Sequence, residues 1–180
     1  MRVITGRYKG RKLAAPAGRD IRPTSDKVKE ALFSILTDRI YGSRVLDLFA
    51  GTGALGIEAL SRGAEYCVFG DSSREGLRLI KENLEHCQVE EKTRVIPGDY
   101  RKTLRNLGEE FDIILMDPPY SGGMLPEAFD IIGEEGLLAE DGLIVAEHRR
   151  EDELPEEMGG FTRVKERRYG IVVLSIYAKM

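Results

Sequence analysis

The sequence predicts an α/β fold: a Rossmann-like, doubly wound sheet of seven strands, mostly parallel, with an antiparallel pair at its C-terminal end. Three observations predict it. From Arg44 onward, short β-branched and aromatic runs alternate with segments of helical spacing; the first run opens into a glycine-rich turn; and the last two runs, residues 161–169 and 171–179, are joined only by Gly170. Strand-like runs separated by helical patterns are the mark of βαβ units, whereas two long runs meeting at one glycine make a hairpin added to an edge.

Taken in order, "VITGRYKGRKLAAP" at 3–16 reads as two short strands about a Tyr-Lys-Gly turn. Residues 26–40 place Val28, Leu32, Ile35 and Leu36 at helical spacing behind the possible caps Thr24 and Ser25. Residues 1–40 are therefore expected to form a hairpin-and-helix extension, and 41–180 the main domain. There the strands are "RVLDLF", "EYCVFG", "TRVIP", "FDIILMD" and "GLIVAEH", with helices expected over 54–62, 73–87, 100–107 and 124–138.

Composition narrows the class. With 180 residues, 42% hydrophobic and 32% charged, the chain can bury one substantial core but not two large ones. It has no run of eighteen apolar residues, and the charged N-terminus is followed by no apolar segment, so neither a membrane span nor a secretory signal is expected and the cytoplasm is. Cys67 and Cys87 form no CxxC pair and have no histidine at zinc spacing, which points to reduced thiols and no metal. His86 reads as a helix-end charge and His148 as a surface residue.

The net charge of −4 hides an asymmetry: residues 1–30 carry nine Lys and Arg against three acids, a local +6, leaving −10 on the rest. A basic arm on an acidic body suits a localised polyanion contact, although a solvated charged hairpin would read the same way.

In doubly wound folds ligands bind outside the carboxyl ends of the strands. The first strand runs into "DLFAGTGALG", where Gly51, Gly53 and Gly56 make a GxGxxG, and Asp71 follows Gly51 by twenty residues. That is a dinucleotide fingerprint with one discordant member. Asp47, just before the loop, would repel a pyrophosphate, whereas the ammonium and sulfonium of S-adenosylmethionine favour a nearby carboxylate. Phe49, Ala50, Gly51, Thr52 and Gly53 would wrap the methionine end, and Asp71, with Ser72 beside it, would accept the ribose hydroxyls. The third strand ends in Asp99 and Tyr100, placed either to meet an adenine or, for Asp99, to cap the next helix.

The fourth strand ends in "MDPPY". An exocyclic purine amine, like an amide nitrogen, is a poor nucleophile because its lone pair is delocalised. If Asp117 accepts one N–H and a carbonyl of the Pro118–Pro119 turn accepts the other, the lone pair is aimed at the donor methyl. The prolines fix φ and bring no competing N–H, and Tyr120 offers a face for a flipped-out base.

These residues carry a resemblance. "DPPY" after "DLFAGTG" resembles the amino-methylating class I S-adenosylmethionine-dependent methyltransferases. More narrowly, "RVITGRYKGRKL", "RPTSDKVKEALFSIL", "ALGIEALSRGA" and "YGIVVLSIY" resemble the RsmD-type 16S ribosomal RNA guanine-N(2) methyltransferases over nearly the whole chain. The resemblance implies S-adenosylmethionine as donor and a guanine of 16S ribosomal RNA, naked or in an assembling small subunit, as acceptor. It implies RNA phosphate contacts by Arg7, Lys9, Arg11 and Lys12, and places Arg22, Pro23 and Thr24 at the border of donor and target base. Asp71 stands where many relatives have Glu. A monomer is expected. DNA adenine-N(6) and protein glutamine methylation use a similar turn, and a non-catalytic RNA-binding assembly factor could keep the fold; the chain lacks room for a DNA target-recognition domain, and glutamine methylases usually carry Asn at the position of Asp117.

Overall fold

The computed structural model describes residues 1–17, 23–119 and 123–180. Its elements are α1 (Pro23–Ile35), α2 (Thr37–Ile40), β1 (Arg44–Leu48), α3 (Ala54–Ser61), β2 (Tyr66–Asp71), α4 (Arg74–Cys87), β3 (Thr93–Pro97), α5 (Tyr100–Asn106), β4 (Phe111–Met116), α6 (Met124–Glu135), β5 (Leu138–Arg149), β6 (Glu157–Met158), β7 (Phe161–Tyr169) and β8 (Val172–Lys179). The strands form one sheet in the order β3-β2-β1-β4-β5-β8-β7-β6, parallel through β5 and antiparallel beyond it. The order reverses between β1 and β4, and that crevice is where such sheets take ligands.

The expected α/β architecture is present, with three differences. The sheet has eight strands rather than seven, because Glu157 and Met158 pair with β7 as a two-residue edge. The N-terminal hairpin is reduced to one bridge, Arg2 with Lys12, because the N–H groups of Ile4, Thr5, Arg7 and Tyr8 donate to Glu58 and Ser61 of α3 and those of Lys9 and Arg11 close turns. The helix expected over 26–40 starts earlier, at Pro23, and is divided at Leu36, whose φ and ψ of −92° and 3° interrupt the second turn-over into α2.

Alternation along the strands divides the core in two. Val45, Ile113, Leu115 and Val145 face α1, α3 and α4, and Leu46, Ile114, Met116 and Ala146 face α5 and α6. Val3, Tyr8 and Leu13 of the N-terminal arm belong to the first of these layers. What fixes the arm there is Glu58 of α3, which has no solvent exposure. Its carboxylate accepts the N–H groups of Ile4 (2.8 Å) and Thr5 (3.1 Å) and the Nε of Arg62 (3.1 Å), and Lys29 Nζ lies 3.5 Å away. Lys29 in turn donates to the Arg2 carbonyl at 2.7 Å. No helix among the described residues is long and apolar enough to cross a membrane.

Removing one member of a buried ionic network strands the others. Glu58→Ala is expected to cost about 3–5 kcal/mol in urea unfolding and to open the arm to limited proteolysis. A variant as stable and as protected as the parent would show that the network does not hold the arm.

Candidate active site

The glycine loop between β1 and α3 is shaped by three different needs. Gly51 and Gly53 have φ of 59° and 81°, backbone that side chains other than glycine rarely adopt, and nothing lies within 4 Å of where a Gly51 side chain would begin. Gly56 instead answers to packing, since a Cβ there would sit 2.3 Å from the Phe69 ring of β2. The loop is braced from below by Asp47, whose Oδ2 accepts the Gly56 N–H at 2.9 Å. Asp47 is 1% exposed, and burial, with added repulsion from Asp117 and Asp71, holds its carboxyl well above the ordinary range. Phe49 takes the left-handed conformation, φ 66°, a strained choice for a bulky residue, and its ring packs 5.2 Å from Tyr100. Ala50 donates to the Gly70 carbonyl, joining the loop to β2.

Asp71 ends β2 with both oxygens turned to backbone. Oδ2 accepts Gly51 N–H and Oδ1 accepts Ser73 N–H, each at 2.8 Å, so the acid first sets the loop, and Ser72 lies exposed beside it. Asp99 caps α5, accepting Arg101 N–H at 2.9 Å. Tyr100 is buried in the second core layer, and its hydroxyl donates to Glu127 at 2.8 Å. These two positions have structural duties that the sequence left open or did not suggest.

Asp117 directly follows β4, with Pro118 buried and Pro119 exposed after it. Tyr120 and Arg22 lie outside the described residues, and of Thr24 only its place in the first turn of α1 is described. The pleat brings a residue that sequence reasoning missed. Met116 is in register with Ala146, so Asp117 and Glu147 are successive neighbours on parallel strands, and both continue the Leu115 and Val145 face. Asp47, in register with Leu115, lies on that same face. Burial raises both Asp117 and Glu147 above the ordinary carboxyl range, and the neighbouring Asp117 raises Glu147 further. The signal was available: "VAEH" alternates, and its Glu falls on the inward parity of Val145. His148 is the reverse case. Expected on the surface, it is 6% exposed on the opposite face, with Nε2 2.8 Å from the Ser175 hydroxyl and Nδ1 3.0 Å from the Arg149 carbonyl.

The arm packs on this same layer, but its basic turn docks at the opposite end of the helices from the crevice. Arg7 N–H donates to the Ser61 carbonyl and Tyr8 N–H to its hydroxyl, at 2.8 and 3.0 Å, at the far end of α3, a helix about 12 Å long. Arg11 donates to the carbonyls of His86 and Cys87 at the end of α4, whereas Lys9 and Lys12 are exposed. Asn83, 1% exposed, ties the arm's return to the glycine loop: Oδ1 accepts Ala14 N–H, and Nδ2 donates to the carbonyls of Ala14 and Thr52.

A family model described as conserved hypothetical protein 95 matches residues 1–178. The chain belongs to that family, the RsmD family. Among similar proteins, one of Bacillus subtilis (strain 168) named as the rRNA methyltransferase YlbH is 43% identical over 182 residues, 99% of each chain. A protein of Escherichia coli (strain K12) named ribosomal RNA small subunit methyltransferase D is 34% identical over 179 residues, 99% of this chain and 90% of that protein. The solved structure of yhhF from Escherichia coli superposes with a TM-score of 0.89 at 34% identity, covering 99% of this chain and 97% of that one.

A carboxyl held near 6 in the fold and near 4 in the unfolded chain opposes folding once ionised. Below pH 4 the effect is absent, and it is fully developed above pH 6. Asp117→Asn is therefore expected to match the parent in urea unfolding at pH 4 and to exceed it by about 1–2 kcal/mol at pH 8, after allowance for partial exposure. A variant less stable than the parent at pH 8 would remove the repulsion from the account.

Proposed function

We propose that the protein transfers a methyl group from S-adenosylmethionine to the exocyclic N2 amine of a guanine in small-subunit ribosomal RNA. The observation that carries this reading is Asp117, at the carboxyl end of β4 next to the reversal point, with Pro118 and Pro119 behind it and the glycine loop one strand away. Family membership and the name of the E. coli relative support ribosomal RNA as the acceptor. In this reading residues 1–40 are the extension that meets RNA and donor, and 41–180 the catalytic domain.

The residues present suit the donor. The face at Gly51 is open, the backbone there is free of side chains, and Asp47 holds the loop from beneath through the Gly56 N–H. S-adenosylmethionine supplies an electrophilic methyl on a positively charged sulfur. The second lone pairs of Asp71 remain available to ribose hydroxyls, while its existing bonds keep Gly51 in place. At the acceptor, Asp117 takes one N2 hydrogen bond and a carbonyl of the proline turn takes the other. Held this way, the nitrogen would keep its lone pair free and directed toward the methyl that a bound donor would supply, the donor leaving as a neutral thioether. The methylated nitrogen is acidic and releases its proton to solvent. Orientation is the main contribution, and no strong base is needed.

Labelled donor incubated with 16S RNA, assembled small subunits, duplex DNA and a release factor tests the reading: transfer to ribosomal RNA or subunits alone is expected, and transfer only to DNA or protein would overturn it. Asp117→Ala is expected to lower turnover by at least about 100-fold while leaving donor affinity within about threefold, because its contact is to the acceptor. Retained turnover would remove Asp117 from the reaction. Lys9→Gln with Lys12→Gln should reduce the salt dependence of RNA binding by about one to two counter-ions. These exposed lysines are the clean probes, since Arg11 also caps α4.

A further inference from the structure

We infer that Glu147 reads the target base as guanine: its carboxylate accepts the N1–H of the ring while Asp117 accepts from the adjacent N2 amine. The inference rests on the methyltransferase reading above and assigns a specificity-determining residue to the same site.

The argument is one of register and hydrogen-bond polarity. Glu147 follows Ala146, the partner of Met116, so its side chain leaves β5 on the same face and at the same height as Asp117 leaves the end of β4, one inter-strand spacing away, about 4.8 Å. On its other side β5 pairs with β8, where Leu174 stands opposite Glu147 and belongs to the apolar layer. The carboxyl therefore has an apolar neighbour on one flank and Asp117 on the other, and it is only partly covered. Two acceptors held side by side in a partly desolvated place repel one another, and the ligand edge that relieves this is one presenting adjacent donors. The Watson–Crick edge of guanine does so, with N1–H next to the N2 amine. Adenine presents an amine next to a bare N1 lone pair, which would face the Glu147 carboxylate without a hydrogen at a pH where both carboxyls are ionised, and the test below is run there. Cytosine has the same mismatch at N3. The spacing of two in-register strands thus supplies the discrimination that Asp117 and the proline turn, which grip only an amine, do not contain.

The test replaces the N1–H rather than the protein alone. The modified position is first mapped by mass spectrometry, and the small-subunit RNA, assembled with its proteins where the particle is the substrate, is rebuilt with 2-aminopurine there. This base keeps the N2 amine but has a lone pair at N1. The parent enzyme is expected to prefer guanine in kcat/KM by about 100-fold or more, as sites that hydrogen-bond a donor reject analogues lacking it. The amide introduced by Glu147→Gln can donate to N1, so the variant's preference should fall at least tenfold, with 2-aminopurine gaining relative to guanine. Differences in intrinsic amine reactivity cancel in that comparison, and a purely structural role would lower both rates alike. An unchanged preference, or equal loss on both bases, with N2-methylguanosine as the parent's product, overturns the assignment and leaves the proposed function standing. A parent product other than N2-methylguanosine overturns both.

Discussion

Three carboxyls on one face of a parallel pleat set the terms for everything else in this molecule. Asp47, Asp117 and Glu147 come from three adjacent strands, and strand register leaves none of them free to turn to the other layer. Their mutual repulsion is tolerable only because each is treated differently: Asp47 is closed beneath the loop on the Gly56 N–H, while Asp117 and Glu147 keep partial exposure at the crevice. A site that holds acceptors together in this way opposes folding and favours ligands rich in donors and positive charge. This is the trade that functional sites make with stability.

The opposite treatment of charge appears a helix away. Glu58 is fully buried, yet its polar partners among the described residues are all donors: two backbone amides, a lysine and an arginine. There the carboxylate joins α3, α1 and the N-terminal arm. The two environments explain how an acidic body carries a basic arm without the arm collapsing onto the crevice. The arm's attachment is made on α3 and α4, and its turn docks at their far ends.

Much of this was legible in the chain. Most strand runs of the main domain came out within a residue or two because they are short and apolar, and β3 coincides with "TRVIP"; β5 instead begins four residues before its expected start, at Leu138. Gly51, Gly53, Gly56, Asp47 and Asp71, read as a set from their spacing, do come together in one loop, where Asp47 accepts from Gly56 and Asp71 from Gly51. Harder to read were the roles settled by tertiary contact. Asp71 stapling its own loop, Tyr100 turning inward to Glu127, and Asn83 joining segments 69 residues apart depend on partners that spacing does not reveal. Glu147 lies between: its parity was readable, but its meaning required the β4–β5 register. His148 was misread because its hydroxyl partner, Ser175, arrives from a strand 27 residues later.

The outer border of the sheet has a different significance. Beyond Arg163, whose N–H donates to the Glu156 carbonyl, β7 has no strand pairing on its outer side among the described residues, and a long bare strand is a template on which further copies could polymerise. Here the ladder slips between Arg163 and Lys165, and Lys165, Arg167 and Arg168 stand exposed along the same stretch. A bulge spoils the match for an incoming strand, and a row of cations must be stripped of water to admit one. Edge-to-edge pairing of copies along β7 is thereby disfavoured.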